Sequence, residues 1–445
     1  MSASCKLRIA WFSPLAKDGE TSLSAYATET LLPYLTDRFE IELFHDSFFS
    51  HKSYPTYHYL NAFLRDKERP FDLFFYQLED APCTKFVRMH LGLMPGVTWF
   101  HHFFLSDDGP EPILNSGWQD TVELFSGKRT DWPERGKEYT RPGPQAYREA
   151  GLSFASLFSL ERDHGEYERL VTHKLLAESD NRQSFFLPLP VSDEIFSCRN
   201  QQSTSARNPF RVGYFGSPRI EHRAHKVLQA LTEGYEQEVQ LHWVVPEQEL
   251  AIAKERLSEF DLDAVLYPQA TPEQWKQLLP EIDCALHPLF SVFGQPGAPL
   301  AMSLAAGVPT LVTGFGNTER LVDEVACKIE PGSREVTQIA SALRQLMKRP
   351  RPLLNQEAQA FAREMYDARV IAAQLGDTFE HLVRGEESYL PQAMNRWREL
   401  EQDAAASLQS EVSSFLPSSL WEGEDGKLLQ PVFEELGWSA KGGAS

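Results

Sequence analysis

Short apolar runs alternate with polar loops along the first half of the chain. The first run, Leu7–Phe12, leads into a polar loop, then a stretch with apolar residues on one side, then a second apolar run at residues 41–44. This order predicts a strand, a loop, a helix capped by Thr21 or Ser22, and a second strand, which together begin a Rossmann-like half. Three further apolar runs predict strands at residues 73–76, 97–100 and 155–158.

The same alternation begins again after residues 201–208, a polar segment rich in turn-forming residues. Strands are predicted at residues 211–216, 241–245, 264–267, 284–289 and 310–312, and helices at residues 272–279, 339–347 and 358–383. Strands that alternate with helices in both halves predict an α/β protein with two Rossmann-like domains facing a cleft. We expect an N-terminal domain at residues 1–200 and a C-terminal domain at residues 209–385.

Two segments depart from this alternation. Residues 106–149 combine prolines, glycines and many charges without a clear period, and we interpret them as an insertion or lid that is partly helical. Residues 386–445 carry a helical pattern at 394–416 and an acidic stretch at 421–425. They predict a helical C-terminal extension, which is a candidate surface for a protein partner.

The charge balance narrows the range of partners. The 445 residues include 43 Lys and Arg against 63 Asp and Glu, which gives a formal net charge of −20. This strongly negative charge argues against nucleic-acid binding through the protein's overall electrostatic field, because a phosphate backbone attracts positive charge. A local basic pocket for a single phosphate group is compatible with this balance.

Cysteine usage and the lack of long apolar runs predict a cytoplasmic protein. The five cysteines are scattered and odd in number, and no C-x-x-C pair occurs, as in reduced proteins. Residues 1–5 lead directly into a strand and lack the apolar core of a signal peptide. No apolar run reaches the roughly 18 residues that cross a bilayer, so we expect no transmembrane segment, while a peripheral membrane role stays open.

A glycine- and proline-rich motif at residues 294–312 carries the clearest chemical signal. Pro299 suits the first turn of a helix, where a missing N–H costs nothing, and Gly307 suits a left-handed residue after its end. The free N–H groups near Gly297, Ala298 and Leu300 would form an anion site. The preceding strand places this site at the carboxyl edge of a parallel sheet, where α/β folds bind ligands.

This motif resembles the nucleotide-sugar site of retaining glycosyltransferases of the GT-B superfamily, family four. The resemblance covers roughly residues 7–385 in the order of elements, and it implies a nucleotide-diphospho-sugar substrate, no cofactor and no metal ion. The family has two glutamates in this motif, one that contacts the donor sugar and one that holds the ribose. Gly294 or Gln295 stands at the first position and Met302 at the second. Glu319, one place from a further acidic position of the family, is the nearest candidate for the ribose; a helix cap is its alternative role.

The resemblance also marks the loop after the first strand as the acceptor side. Ser24-Ala25-Tyr26 stands where the family begins a helix with a similar tripeptide. It implies that Gly19, Ser22 and Tyr26 lie beside an acceptor or a phosphate. An ordinary turn between strand and helix explains the same residues equally well.

His101 and His102 follow the strand at residues 97–100. Family members often carry a histidine at this strand end, facing the transferred sugar, and a neutral imidazole there forms hydrogen bonds without adding charge. The resemblance therefore makes these two residues the candidate catalytic histidines, with exposed loop residues as the alternative. Asp107 and Asp108 suggest a metal pair, but adjacent carboxylates are more often a solvated loop, and we predict no metal site.

The segment at residues 215–223 resembles a basic turn of the family's donor domain. Arg219 matches the family's arginine, His222 falls where a lysine is usual, and Arg223 is its neighbour. A leaving diphosphate needs fixed positive charge, which an arginine supplies through two parallel hydrogen bonds. A basic surface turn is the alternative, and a metal held by His222 and His225 has weak support.

These observations predict a metal-independent glycosyltransferase that uses a nucleotide sugar and an acceptor. The missing carboxylates favour the alternative, a non-catalytic GT-B relative that acts as a binding or scaffolding subunit. A sugar-nucleotide epimerase would require acidic catalytic residues that the sequence does not reveal.

Overall fold

The computed structural model of the protein describes residues 6–15, 22–47, 50–79, 81–102, 153–159, 183–199, 209–218, 222–268, 272–289, 297–315, 318–349, 353–385, 390–396, 398–399, 402–403 and 407. The chain divides into two compact units, residues 1–381 and residues 382–445. In the second unit, residues 390–396 are helical. The predicted insertion at 106–149 and the predicted boundary at 201–208 lie outside the described residues.

The first half forms a seven-stranded parallel sheet with the strand order β3-β2-β1-β4-β5-β6-β7. Its strands are β1 (Leu7–Phe12), β2 (Phe39–His45), β3 (Thr56–His58), β4 (Leu73–Leu78), β5 (Val97–Phe100), β6 (Ala155–Phe158) and β7 (Gln183–Phe186). The helices α1 (Leu23–Leu35), α2 (Ala62–Glu68) and α3 (Lys85–Leu93) connect them. All five predicted strands of this half are present, because their uninterrupted apolar runs bury both faces of the sheet.

The second half forms a six-stranded parallel sheet with the order β10-β9-β8-β11-β12-β13. Its strands are β8 (Phe210–Phe215), β9 (Val239–Val245), β10 (Asp263–Pro268), β11 (Cys284–His287), β12 (Thr310–Thr313) and β13 (Cys327–Ile329). The helices are α4 (Asp193–Ser197), α5 (Ala224–Leu231), α6 (Leu250–Ser258), α7 (Pro272–Leu278), α8 (Ala298–Ala305), α9 (Glu335–Met347), α10 (Gln356–Tyr366) and α11 (Ala368–Arg384). One core cluster contains α7, α8 and α10 residues and another contains α5 and α9 residues, so both faces of this sheet are covered.

The helix predicted at residues 358–383 is two helices in the structure. Asp367 separates α10 from α11, because its extended backbone pairs with Val191 in a short parallel bridge. The Val191 N–H donates to the Tyr366 carbonyl (2.7 Å), and the Ala368 N–H donates to the Val191 carbonyl (3.2 Å). The Asp367 carboxylate then accepts from the Arg369 N–H (2.9 Å), which starts α11 afresh.

Helix α11 packs on the first sheet, although the sequence assigned its residues to the second half. The ring of Phe379 lies edge-on to Trp11 (6.3 Å between centroids) and Phe75 (4.9 Å). Arg38 forms ion pairs with Asp377 (2.9 Å) and Glu380 (3.1 Å). The chain therefore returns to the first sheet after completing the second.

Among the described residues, no helix is both long enough and apolar enough to cross a membrane.

Candidate functional site

Two crevices are expected in this fold, because open parallel sheets bind ligands outside the carboxyl ends of their strands, where the strand order reverses. In the first sheet the order reverses between β1 and β4, and in the second between β8 and β11. We call these places the first and the second switch point. The loops that follow these four strands carry the residues that a ligand would meet.

At the first switch point the side chain of Glu79, just after β4, bonds to the start of α1. Glu79 directly follows β4, and its carboxylate accepts hydrogen bonds from the Ser22 hydroxyl and from the Leu23 N–H (2.8 Å). Ser22, one of the two predicted capping residues, is the N-cap of α1, and its oxygen accepts from the Ala25 N–H (3.1 Å). The hydroxyl of Ser22 is therefore engaged as donor and acceptor, and a carboxylate of the chain itself lies at the start of α1.

Neighbouring residues hold Glu79 in this position. Its backbone carbonyl accepts from the Thr84 hydroxyl (2.8 Å) and the Ala81 N–H (2.8 Å). The thiol of Cys83 donates to the carboxylate (3.4 Å). Burial, followed by the Glu79 carboxylate, raises the pKa of Cys83 to about 12, so this donor stays protonated. Glu79 is only 4% exposed.

Tyr26, a predicted acceptor-side residue, ties α1 to the segment before α4. Its hydroxyl oxygen accepts from the Ser192 N–H (3.3 Å), and its ring packs against the core cluster of the second half. Burial raises the pKa of Tyr26. The third acceptor-side candidate, Gly19, lies outside the described residues.

His101 is completely buried behind the first switch point. Its Nδ1 lies 2.9 Å from the Ser159 hydroxyl, and its Nε2 lies 2.7 Å from the side-chain amide of Gln77. With the Gln77 amide oriented so that its oxygen accepts from Trp11 (2.9 Å) and Thr28 (2.6 Å), its nitrogen donates to His101 Nε2. His101 Nδ1–H then donates to Ser159.

Both nitrogens of His101 are thus used inside the protein. Burial, followed by the neighbouring His102, holds the pKa of His101 well below its usual value, so the ring is neutral. His102 is partly buried and comes one residue further from β5. Of the two predicted histidines, His102 is the one nearer to solvent.

The second switch point is built from stacked rings. Phe215, the last residue of β8, stacks on His287 at the end of β11 (4.9 Å between centroids, 12° between planes). The ring of Phe215 also stacks on that of Trp275 in α7 (4.8 Å between centroids, 27° between planes). His287 Nε2 hydrogen-bonds to the Ser303 hydroxyl of α8 (3.0 Å), and burial lowers the pKa of His287 to about 3. These rings form a neutral, largely apolar floor at the second switch point.

Helix α8 begins beside this floor. Gly297 is its N-cap and supplies no side-chain cap, while Pro299 lies in the first turn, as predicted. At the other end Gly307 has φ +65°, and the N–H groups of Gly307 and Val308 bond back to the carbonyls of Leu304 (2.9 Å) and Ser303 (3.0 Å). This is a Schellman motif, and the predicted left-handed glycine is confirmed.

The remaining donor-side candidates differ in their burial and in their contacts. Ala298 and Leu300 are buried at the start of α8, and Met302 is 5% exposed within the core cluster under it. An apolar side chain therefore fills the position at which the resemblance implied a ribose-binding glutamate. Glu319 is exposed, and its backbone carbonyl accepts from Lys328 Nζ (3.4 Å).

The basic turn after β8 is partly engaged within the protein. The guanidinium of Arg223 forms a two-pronged ion pair with Glu335, the first residue of α9, and its Nε–Oε2 distance is 2.9 Å. Arg223 itself has φ 58°, an uncommon conformation for a residue other than glycine. The ring of His222 lies against Gly216, where an added Cβ would come within 2.7 Å of it. Arg219 lies outside the described residues.

The sequence analysis missed three buried carboxylates near these strand ends. Glu79 contacts Ser22, Glu335 contacts Arg223, and Glu249 accepts a hydrogen bond from the Ser217 hydroxyl in the loop after β8. Their only sequence signal is their position shortly after a predicted strand or, for Glu335, four residues before a predicted helix. No group of three or more His, Cys, Asp or Glu residues that would hold a metal occurs in the described part of the chain.

No protein-family model and no curated protein matches the sequence. Solved structures match most of the chain. Sucrose-phosphate synthase from Thermosynechococcus elongatus has a TM-score of 0.60 at 13% identity, over 85% of this chain and 99% of that chain. HepE from Anabaena, solved with UDP-glucose, has a TM-score of 0.55 at 15% identity, over 84% and 100%. A glycosyltransferase from Rickettsia africae has a TM-score of 0.56 at 10% identity, over 86% and 100%.

The protein has the GT-B fold. The predicted fold class, α/β with two Rossmann-like parallel sheets, is confirmed. Identities of 10–15% establish shared architecture and leave the chemistry of this chain to its own residues.

Proposed function

We propose that the protein is a glycosyltransferase that moves a sugar from a nucleotide-diphospho-sugar to an acceptor, with retention of configuration and without a metal ion. The observation that carries this proposal is the second switch point of a GT-B fold. There the start of α8 follows β11 and has no side-chain cap, which supports its backbone amides as the proposed anion donors at the place where such folds bind ligands.

The chemistry of a leaving nucleoside diphosphate fits this place. The amides of Ala298 and Leu300 supply fixed dipoles at the end of a helix, and they need no reorganisation when charge develops. Arg219 and His222, from the loop after β8, are the proposed side-chain donors. Arg223 shapes this loop by holding Glu335. On the acceptor side, His102 is the proposed imidazole beside the transferred sugar.

A non-catalytic role is the second candidate, and one observation favours it. Met302 lies in the apolar core cluster, and His287 and Ser303 bond to each other, so these three described residues under α8 supply no carboxylate for a ribose. If the protein has lost catalysis, it still presents the same crevice as a binding surface.

Titration calorimetry with UDP and UDP-glucose, the ligand found in HepE, tests the donor site directly. We expect Arg219→Gln to weaken UDP binding at least ten-fold and the matched surface variant Arg256→Gln to leave it unchanged. Wild-type protein that binds no nucleotide or nucleotide sugar would exclude the transferase. Binding without any release of UDP, in the presence of a panel of sugar and lipid acceptors, would select the non-catalytic role.

The same assay tests Glu319, the residue proposed to hold the ribose. If the Glu319 carboxylate holds the ribose, losing that hydrogen bond should cost about 1–3 kcal/mol, so Glu319→Gln should weaken UDP binding by roughly five- to 150-fold. The exposed neighbour Glu324→Gln is the matched control. Equal UDP affinities for the two variants would remove Glu319 from the site.

A further inference from the structure

Three leucines on the helices that cover one face of the first sheet are exposed. Leu60, Leu64 and Leu93 expose 59%, 54% and 49% of their surface. Leu60 lies in a short 3₁₀ turn that leads into α2, Leu64 lies one helical turn later, and Leu93 is the last residue of α3. A single exposed leucine is common on a protein surface, whereas several side by side mark an interaction surface.

Ring contacts show that α2 and α3 lie next to each other. Tyr59 contacts Phe86 (5.5 Å between centroids), and Phe63 stacks on His90 (4.7 Å). From the first contact to the second, both chains advance by four residues, so the two helices run in the same direction. This agrees with the topology, because each helix returns from the end of one parallel strand to the start of another.

The exposed leucines lie on the outer side of this helix contact. Leu60 and Leu64 each come one position after a contact residue, which is about 100° further round the helix. The opposite side of α2 faces the sheet through Ala62 and Asp66, which are both buried. Leu93 comes three positions after the second contact residue of α3. We call Leu60, Leu64 and Leu93 the leucine strip.

Positive charge surrounds the leucine strip. Lys67 comes three positions after Leu64 on the outer side of α2, and Lys85 is the first residue of α3. Neither lysine forms an ion pair with any described residue. Residues 51–69 and 85–94 together carry six Lys and Arg against two Asp and Glu, a net charge of +4 in a chain of −20. Glu68 is the exposed acid of these two segments, and Asp66 is buried.

We propose that the leucine strip and its lysines dock the protein on an anionic membrane surface. Leucines that enter the boundary between headgroups and acyl chains, with lysines that meet anionic headgroups, are the two contributions to interfacial membrane binding. Charge complementarity favours this occupant, because an anionic surface attracts the +4 face and repels the rest of the acidic chain. A second copy on the same strip would instead bring lysines of both chains together.

The docked orientation relates the membrane to the first switch point. The turn with Leu60 directly follows β3, and α3 with Lys85 begins shortly after β4, so both start at the carboxyl edge of the first sheet. The first switch point lies at the same edge. Docking would therefore hold this edge beside the membrane. The proposal is independent of the glycosyltransferase function.

Flotation of the full chain with lipid vesicles tests the proposal. The vesicles contain phosphatidylcholine alone or in equal parts with phosphatidylglycerol. We expect binding to the anionic vesicles only, and weaker binding at high salt. The double variant Leu60→Ser, Leu64→Ser should bind the anionic vesicles at least ten-fold more weakly. Val322→Ser with Leu354→Ser, which changes two exposed apolar residues of the second half, is the matched control and should bind as wild type does.

A second pair of variants tests the charge. Each lysine near an anionic surface contributes about five-fold to binding, so Lys67→Gln with Lys85→Gln should weaken it by about thirty-fold. Lys254→Gln with Lys348→Gln removes two exposed lysines elsewhere and should have little effect. Hydrogen exchange locates the contact: amides of residues 59–69 and 85–94 should exchange more slowly on anionic vesicles, and those of residues 250–258 should not change.

Wild-type protein that does not bind anionic vesicles would overturn the proposal, as would leucine variants that bind like wild type. Equal binding to neutral and anionic vesicles would refute the selection by charge. Sedimentation without lipid tests the other occupant: a dimer that the double leucine variant dissociates would show that a second copy covers the strip. Thermal unfolding checks that each variant is folded, and the lysine pair serves if the leucine pair is not. Failure of the transferase function shows instead as absent UDP binding, which none of these assays involves.

Discussion

The two switch points occupy equivalent places in two sheets of the same kind, yet their chemistry is opposite. At the first, a buried carboxylate and a capping hydroxyl close the start of α1. At the second, stacked rings form the floor and a glycine leaves the start of α8 without a side-chain cap. One helix start is thus capped by side chains of the protein, and the other has no side-chain cap.

This difference teaches that the fold provides two equivalent strand-order reversals and that a few residues decide which side chains lie at each. Strand order alone places a helix dipole at both crevices. Glu79 compensates that dipole internally, whereas Phe215 and His287 add no charge.

Removing Phe215 should have the largest effect on stability. Phe215→Ala leaves a cavity between Trp275 and His287, and we expect a loss of about 3–5 kcal/mol in the free energy of unfolding. Urea denaturation measures it. Phe361→Ala, in a ring only partly buried against the same cluster, should cost clearly less. Similar losses in both variants would mean that the stack has no special place in the second switch point.

The second largest effect is a loss of stability at acidic pH. Because the folded pKa of His287 is about 3 and an unfolded histidine titrates near 6.5, the unfolded chain binds more protons below pH 6.5 and stability falls there. Between pH 7 and pH 5, His287 should account for a loss of about 2 kcal/mol. His287→Gln keeps a hydrogen-bonding group for Ser303 and should lose that much less over the same range in denaturation experiments. An identical pH dependence in wild type and variant would show that His287 titrates normally.

The smallest effect is expected at the first switch point. Ser22→Ala removes the N-cap of α1, which typically costs about 1 kcal/mol, while Glu79 keeps its bond to the Leu23 N–H. Thermal unfolding measures the change, and Thr36→Ala at the other end of α1 is the control. A loss as large as that of Phe215→Ala would mean that the polar network, and not the aromatic stack, dominates stability at these strand ends.

Local pattern predicted most elements of the fold. β1, β5 and β6 begin and end where their apolar runs do, because both faces of a parallel strand are buried. The three-residue strands β3 and β13 were not predicted, since so short a strand is defined only by pairing with its neighbour. The break at Asp367 was missed for the same reason: the helical pattern continues through it, and only the bridge to Val191, far away in sequence, interrupts the helix.

The sequence by itself determined the two-sheet fold class, a cap of α1 at Thr21 or Ser22, and the Pro299 and Gly307 ends of α8, because each depends on residues within one turn or one strand. It did not determine what lies at the switch points. Glu79 meets Ser22, Arg223 meets Glu335, and Phe215 meets His287 only after strand order and helix packing bring their loops together. The charge of each crevice is set by such long-range contacts, so the tertiary structure alone decided it.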